Sequence, residues 1–141
     1  MSIPRFHLAF PVHDLDEARK FYSKTLGCIT GRESENWIDF NLYGHQIVAH
    51  LSPEDCKVAT VNLVDNDDIP SRHFGVILEW KDWEFLHEKI KKLDYPFLVE
   101  PKIRFKLKPG EQGTFFINDP SGNAIEFKTF KHDSMVFEKF E

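Results

Sequence analysis

Four side chains of metal-binding type fall at strand-like positions where alternation turns them away from the apolar face: His7, His50, His73 and Glu126. In the run from Phe6 to Val12 the residues Phe6, Leu8, Phe10 and Val12 recur at every second position, which sends His7 to the opposite side. From His73 onward, Phe74, Val76 and Leu78 form the apolar set and leave His73, Gly75, Ile77 and Glu79 on the other face. Ile125 and Phe127 do the same for Ala124, Glu126 and Lys128, and Ile47, Ala49 and Leu51 for Val48 and His50. Two imidazoles and one carboxylate arriving from three strands are the ligand set of a facial triad, which leaves coordination positions open for substrate or oxygen. The competing reading is an ordinary role for each, with a strand histidine satisfied by hydrogen bonds and a glutamate, costly to bury unpaired, serving in a salt bridge.

The elements that must carry these residues repeat. After the first strand, Asp14 with Glu17 three residues on resembles a capping box, and Leu15, Ala18, Tyr22, Thr25 and Leu26 trace a helical stripe that stops at Gly27, predicting a helix over 14–26. Short strands follow at 28–32, 37–42 and 45–51, the last two joined by a tight turn at Tyr43-Gly44. After a polar stretch the same order returns. There is a strand over 73–80, a helix over 82–93 with Trp83, Leu86, Ile90 and Leu93 on one stripe, and strands at 97–99, 114–118 and 124–130. His7 and His73 open the two units, 66 positions apart, and Gly44 and Gly122 occupy matching hairpin turns. The predicted class is α+β: two βαβββ modules forming a curved, mostly antiparallel sheet with helices outside and a cavity on the helix-free face. The 141 residues suit one domain, with module one at 1–52, a linker at 53–72, module two at 73–131 and a tail at 132–141.

These features resemble the vicinal oxygen chelate superfamily, which includes glyoxalase I, extradiol dioxygenases, fosfomycin-resistance enzymes and bleomycin-resistance proteins. The resemblance rests on His7, on His73, and on Asp119-Pro120-Ser121-Gly122-Asn123-Ala124-Ile125-Glu126, and spans about the whole chain. It implies a divalent metal held by His7, His73 and Glu126, with Fe(II) or Mn(II) favoured and Zn(II) or Ni(II) as alternatives. It also implies an enzyme, since ligand-sequestering relatives of the bleomycin-resistance kind typically lack these ligands. Glyoxalase I usually carries a further glutamate on the last strand of the first module. Here that strand reads His45-Gln46-Ile47-Val48-Ala49-His50, and both Val48 and His50 are candidates for the equivalent position. With a histidine in that strand and a single carboxylate in the set, the resemblance leans to an extradiol-type dioxygenase acting on a small oxygen-chelating substrate, with His50 as acid/base. A glyoxalase I-like lyase or isomerase, a thiol transferase, and a non-catalytic ligand-binding protein are the alternatives. A homodimer is the usual state in the family.

Weaker signals complete the expectations. Lys102, Arg104, Lys106 and Lys108 alternate ahead of Pro109-Gly110, either as a lid whose Arg104 captures a substrate carboxylate or as a solvated loop edge. Asp65-Asn66-Asp67-Asp68 lacks the glycine and glutamate of a calcium loop and is read as solvated linker. His13, His45, His87 and His132 are read as surface residues. Lys+Arg at 18 against Asp+Glu at 23 gives a net charge of −5, the opposite of a nucleic-acid footprint, and argues against such a partner. The longest stretch without a charged residue, Phe40 to Pro53, carries two histidines, so no membrane span is expected, and neither is a secretory leader; the expected location is cytoplasmic. Cys28 and Cys56 sit in no CxxC motif and read as free thiols.

Overall fold

The computed structural model describes residues 2–57, 60–64 and 67–139. In chain order the elements are β1 (His7–Val12), α1 (Leu15–Lys20) running on into a π-helical turn (Phe21–Thr25), β2 (Ile29–Glu33), β3 (Trp37–Leu42), β4 (His45–Leu51), β5 (Val61–Val64), β6 (Asp67–Pro70), β7 (His73–Leu78), α2 (Trp80–Lys92), β8 (Val99–Arg104), β9 (Gln112–Asn118) and β10 (Ala124–Phe130). Short 3-10 turns occur at Pro53–Asp55 and Asp133–Met135. The chain divides into two compact units: the first holds β1 to β4, α1 and the Asp119–Asn123 turn, the second β5 to β10 and α2. The α+β class and the βαβββ order of each module are as the alternation predicts.

In the first unit the sheet order is β1-β4-β3-β2, with β1 parallel to β4 and the remaining neighbours antiparallel. Asp14 caps α1 as its spacing predicts, its side chain accepting from the Glu17 amide at 2.9 Å. The helix narrows to six residues because the next turn is wider: the Leu26 amide donates to the Phe21 carbonyl, five residues back. Within that turn the adjacent Phe21 and Tyr22 are both buried, their rings edge to face at 4.8 Å, and Tyr22 also meets Phe10 and Phe40. The core on this side is Phe10, Val12, Ile38, Phe40, Leu42, Ile47 and Ala49 under Ala18, Tyr22 and Leu26.

The buried Tyr22 hydroxyl donates to Asp119 Oδ2 at 2.7 Å, and Asp119 is almost fully enclosed. Its carboxylate also accepts from the Ser121 and Asn123 amides and from the Asn123 side-chain nitrogen, at 2.8–2.9 Å. The first residue of the Asp-Pro-Ser-Gly-Asn motif is thus consumed by holding its own turn.

The second unit repeats the connectivity, in the order β7-β10-β9-β8, with β7 parallel to β10. Trp83, Leu86 and Ile90 of α2 are buried with Phe115, Ile117, Ile125 and Phe127, and the Trp83 indole donates to the Phe127 carbonyl at 3.0 Å. The polar stretch read as linker contains a hairpin of β5 and β6. Its one buried apolar residue, Ile69, clusters with Val99 and Phe116, and Asp67 pairs with Lys102. Strands of four residues without alternation, ending at Pro70, carry too little periodicity to be recognised. Asp65 and Asn66 of the discounted calcium loop lie outside the described residues, as does Phe140 of the tail. Among the described residues no helix is long and apolar enough to cross a membrane, and both cysteines are free thiols.

One surface assignment is corrected. His87 is half-buried, its ring 4.8 Å from Trp83 and 6.1 Å from Phe115. Burial pushes its pKa below the ordinary value; Glu88 and Glu84 oppose this and Lys91 adds to it. The unfolded chain therefore takes up a proton before the folded one does, and stability present above pH about 6.5 is lost as the pH falls through that value toward the depressed folded pKa. Thermal melts at pH about 7.5 and about 5.5, on either side of the imidazole reference value, should show wild type losing more Tm than His87→Leu. Equal losses would remove His87 as the cause.

Candidate metal centre

In the second unit, β7 and β10 set two of the expected ligands side by side. The parallel register pairs His73 with Ala124 and Gly75 with Glu126, so His73 and Glu126 share the face away from α2. The approach is close enough that a Cβ on Gly75 would lie 1.5 Å from the Glu126 carbonyl oxygen, which only glycine allows. His73 Nε2 stands 3.3 Å from Glu126 Oε1. The other carboxylate oxygen accepts from Thr114 Oγ1 at 2.6 Å. His73 Nδ1 lies 2.8 Å from the Pro70 carbonyl, a group that only accepts, so the ring proton sits on Nδ1. A neutral His73 then presents its Nε2 lone pair to a lone pair of Glu126, and a cation is what relieves that opposition: a proton on the ring or a metal ion. The donor set fits a divalent ion, with one imidazole nitrogen and one carboxylate oxygen convergent and each held from behind.

His7 lies in the first unit, where the register pairs it with Gln46 and its Nδ1 is 2.8 Å from Gln46 Oε1. The counterpart of Glu126 on this sheet follows from the same count. His73 opposes Ala124 and His7 opposes Gln46; two residues on, Glu126 is matched by Val48, four positions after Gly122 and Gly44, which have φ of 86° and 91°. His50 pairs with Pro11 and Trp37 and is exposed, one same-face row or about 7 Å beyond Val48. The equivalence left open between Val48 and His50 therefore goes to Val48.

A carboxylate missed from the sequence sits beside it. Asp39 on β3 pairs with Val48, so it shares the helix-free face, and it is only 7% exposed. Gln46 Nε2 reaches its Oδ2 at 3.5 Å and Arg32 Nε at 3.8 Å. The signal was present: Ile38-Asp39-Phe40 repeats the pattern Ile125-Glu126-Phe127, an acid between two core residues. Among the described residues no cluster of three or more His, Cys, Asp or Glu side chains is gathered within reach of one ion. His73 and Glu126 are the expected ligands that come together.

The basic run is corrected in part. Its first half is neither lid nor loop: Lys102 and Arg104 belong to β8, paired with Thr114 and Gln112. Lys128 also pairs with Thr114, so Lys102, Arg104 and Lys128 share the Glu126 face, and Arg104 is half-buried about 13 Å along the strands from Glu126.

A family model described as the Glyoxalase/Bleomycin resistance protein/Dioxygenase superfamily matches residues 6–127. The solved structure of a glyoxalase/bleomycin resistance protein/dioxygenase from Alicyclobacillus acidocaldarius is 35% identical, with a TM-score of 0.78 over 95% of this chain and 96% of that one. The fold is shared with the genomically encoded fosfomycin resistance protein FosX from Listeria monocytogenes, which is 17% identical with a TM-score of 0.65 over 96% and 100% of the two chains. Lactoylglutathione lyase from Agrobacterium tumefaciens is 16% identical, with a TM-score of 0.62 over 89% and 92%. No protein of curated function matches the sequence.

Proposed function

Because the chain belongs to the glyoxalase/bleomycin resistance protein/dioxygenase superfamily, we propose that it is a metal-dependent enzyme of the extradiol dioxygenase type, with His7, His73 and Glu126 holding one divalent ion. The observation that supports this is the facing pair of His73 Nε2 and Glu126 Oε1, each backed by a hydrogen bond that frees the ligating atom. When bound, Fe(II) or Mn(II) would supply a Lewis acid with positions left open for an oxygen-chelating substrate. Val48, apolar at the position mirroring Glu126, supports an open triad without a fourth protein ligand from β4. His50, on the same face as Val48 and open to solvent, moves protons to and from substrate. Arg104 holds an acidic group of the substrate in a two-pronged hydrogen bond, on a face that also carries Lys128.

Steady-state kinetics test these two roles together. His50→Ala should keep the metal and lose roughly 10²-fold in kcat. Arg104→Ala should raise KM for an anionic substrate by about 10-fold or more and leave a neutral analogue unaffected. Loss of metal from His50→Ala would make it a ligand, and equal effects of Arg104→Ala on both substrates would remove it from recognition. A second reading, a glyoxalase I-like isomerase, draws support from Asp39, a second carboxylate on a helix-free sheet face. Its reaction needs no oxygen, and that separates the two.

A further inference from the structure

The polar contacts of Asp39 are spent on one side chain of the same face and one arginine. It is a carboxylate on the open side of a sheet, 7% exposed, where an unpartnered acid is costly. Its Oδ2 takes the Gln46 amide nitrogen at 3.5 Å and stands 3.8 Å from Arg32 Nε. The other polar neighbour in that row of the sheet, Asn41, pairs with Gln46 in register, but its side-chain oxygen is engaged by the Gly44 amide at 2.7 Å. Asp39 is the acceptor that the Gln46 amide nitrogen meets on this face. An ionised carboxylate accepts and cannot donate, so it draws the NH₂ end and turns Oε1 outward. Gln46 Oε1 is the atom 2.8 Å from His7 Nδ1. An amide oxygen also only accepts, so His7 must donate from Nδ1, which leaves Nε2 as the bare nitrogen.

We propose that Asp39 and Gln46 are positioning residues that lock His7 in its Nδ1–H tautomer and so present Nε2 as a ligand, an inference that rests on the metal-site reading above. The second unit reaches the same protonation pattern by another route, since His73 gives its Nδ1 proton to the Pro70 carbonyl. A backbone carbonyl needs no orienting, whereas a side-chain amide has two faces of opposite polarity. A buried acid beside Gln46 supplies that orientation. In this role Asp39 acts on His7 through Gln46.

Nitrogen-15 NMR of the imidazoles in metal-free protein tests this at about pH 8.5, two units above the imidazole reference value. Wild type should show His7 with a protonated Nδ1 and a bare Nε2. Gln46→Leu, at an exposed position, and Asp39→Leu should both release the ring into a mixture containing the Nε2–H form. Asp39→Asn, whose side-chain oxygen still accepts from Gln46, should restore the wild-type pattern, and backbone amide spectra report that each variant is folded. A wild-type His7 protonated on Nε2, or a Gln46→Leu spectrum unchanged from wild type, overturns the inference, and an unchanged Asp39→Leu overturns the part of Asp39. In a second arm, Mn(II) titration should give a dissociation constant about 10–100-fold weaker for Gln46→Leu. Unchanged affinity in a variant of a metal-binding wild type overturns the positioning role. A wild type that binds no Mn(II) overturns the metal reading, and the tautomer spectra then decide the inference alone.

Discussion

His73→Ala and Glu126→Ala should each strip the protein of its ion, while wild type retains about one divalent ion per chain after the same desalting. The expectation rests on the 3.3 Å approach of Nε2 and Oε1 and on the hydrogen bonds from Thr114 and to Pro70 that hold the two groups from behind. Under the proposed ligand set, removing either takes away one of the two ligating groups that stand together on the second sheet. Affinity then falls by far more than the roughly 10–100-fold that loss of a supporting hydrogen bond costs. Binding should also weaken as the pH is lowered, because protons and metal compete for the same imidazole lone pairs. Elemental analysis of variants prepared side by side reads the result. Full stoichiometry in both would mean that the His73–Glu126 pair is an ordinary ion pair of the sheet face. A wild type that binds no ion under any loading would leave the ligand-sequestering alternative in place.

Protein reconstituted anaerobically with Fe(II) should consume O2 with a catechol bearing an acidic side chain, yielding a coloured ring-opened product, and should not turn over the hemithioacetal of methylglyoxal and glutathione. In the first reaction both oxygen atoms enter the product and no outside reductant is needed, so oxygen uptake and product should appear in equal amounts. If His7, His73 and Glu126 hold the ion as proposed, it would keep positions open for a chelating substrate and O2. The position mirroring Glu126 is the apolar Val48, which cannot serve as a ligand or a base. An isomerase needs a base that shuttles a proton between adjacent carbons, and Asp39 is the carboxylate that would have to supply it. Robust hemithioacetal turnover with Ni(II), Zn(II) or Fe(II), abolished by Asp39→Asn, would replace the dioxygenase reading by the glyoxalase one. Failure with both panels in a metal-loaded protein would leave thiol transfer.

Which residues point away from the core was legible in the sequence, because strand alternation is a local property. A period of two places His7, His73 and Glu126 opposite Phe10, Phe74 and Phe127 whatever the strands pair with. The module order was legible for the same reason, as were the Asp14 cap and the turns at Gly44 and Gly122. What alternation cannot supply is register between strands distant in the chain. That Val48 and not His50 mirrors Glu126 follows from parallel pairing across 39 residues, and that Gly75 brings His73 against Glu126 follows from pairing across 51. The hairpin around Ile69 escaped because its burial comes from Val99 and Phe116, residues supplied by other strands. The same holds for Arg104, whose alternating cations look alike in a strand or a loop until Gln112 pairs with it. Asp39 escaped for a further reason: an acid inside a strand is judged by its partners, and Gln46 and Arg32 become its partners only when β2, β3 and β4 lie together. The sequence by itself determined the faces and the modules, since those depend on near neighbours. The tertiary structure decided which groups on a face meet, since that depends on hydrogen-bond register over tens of residues.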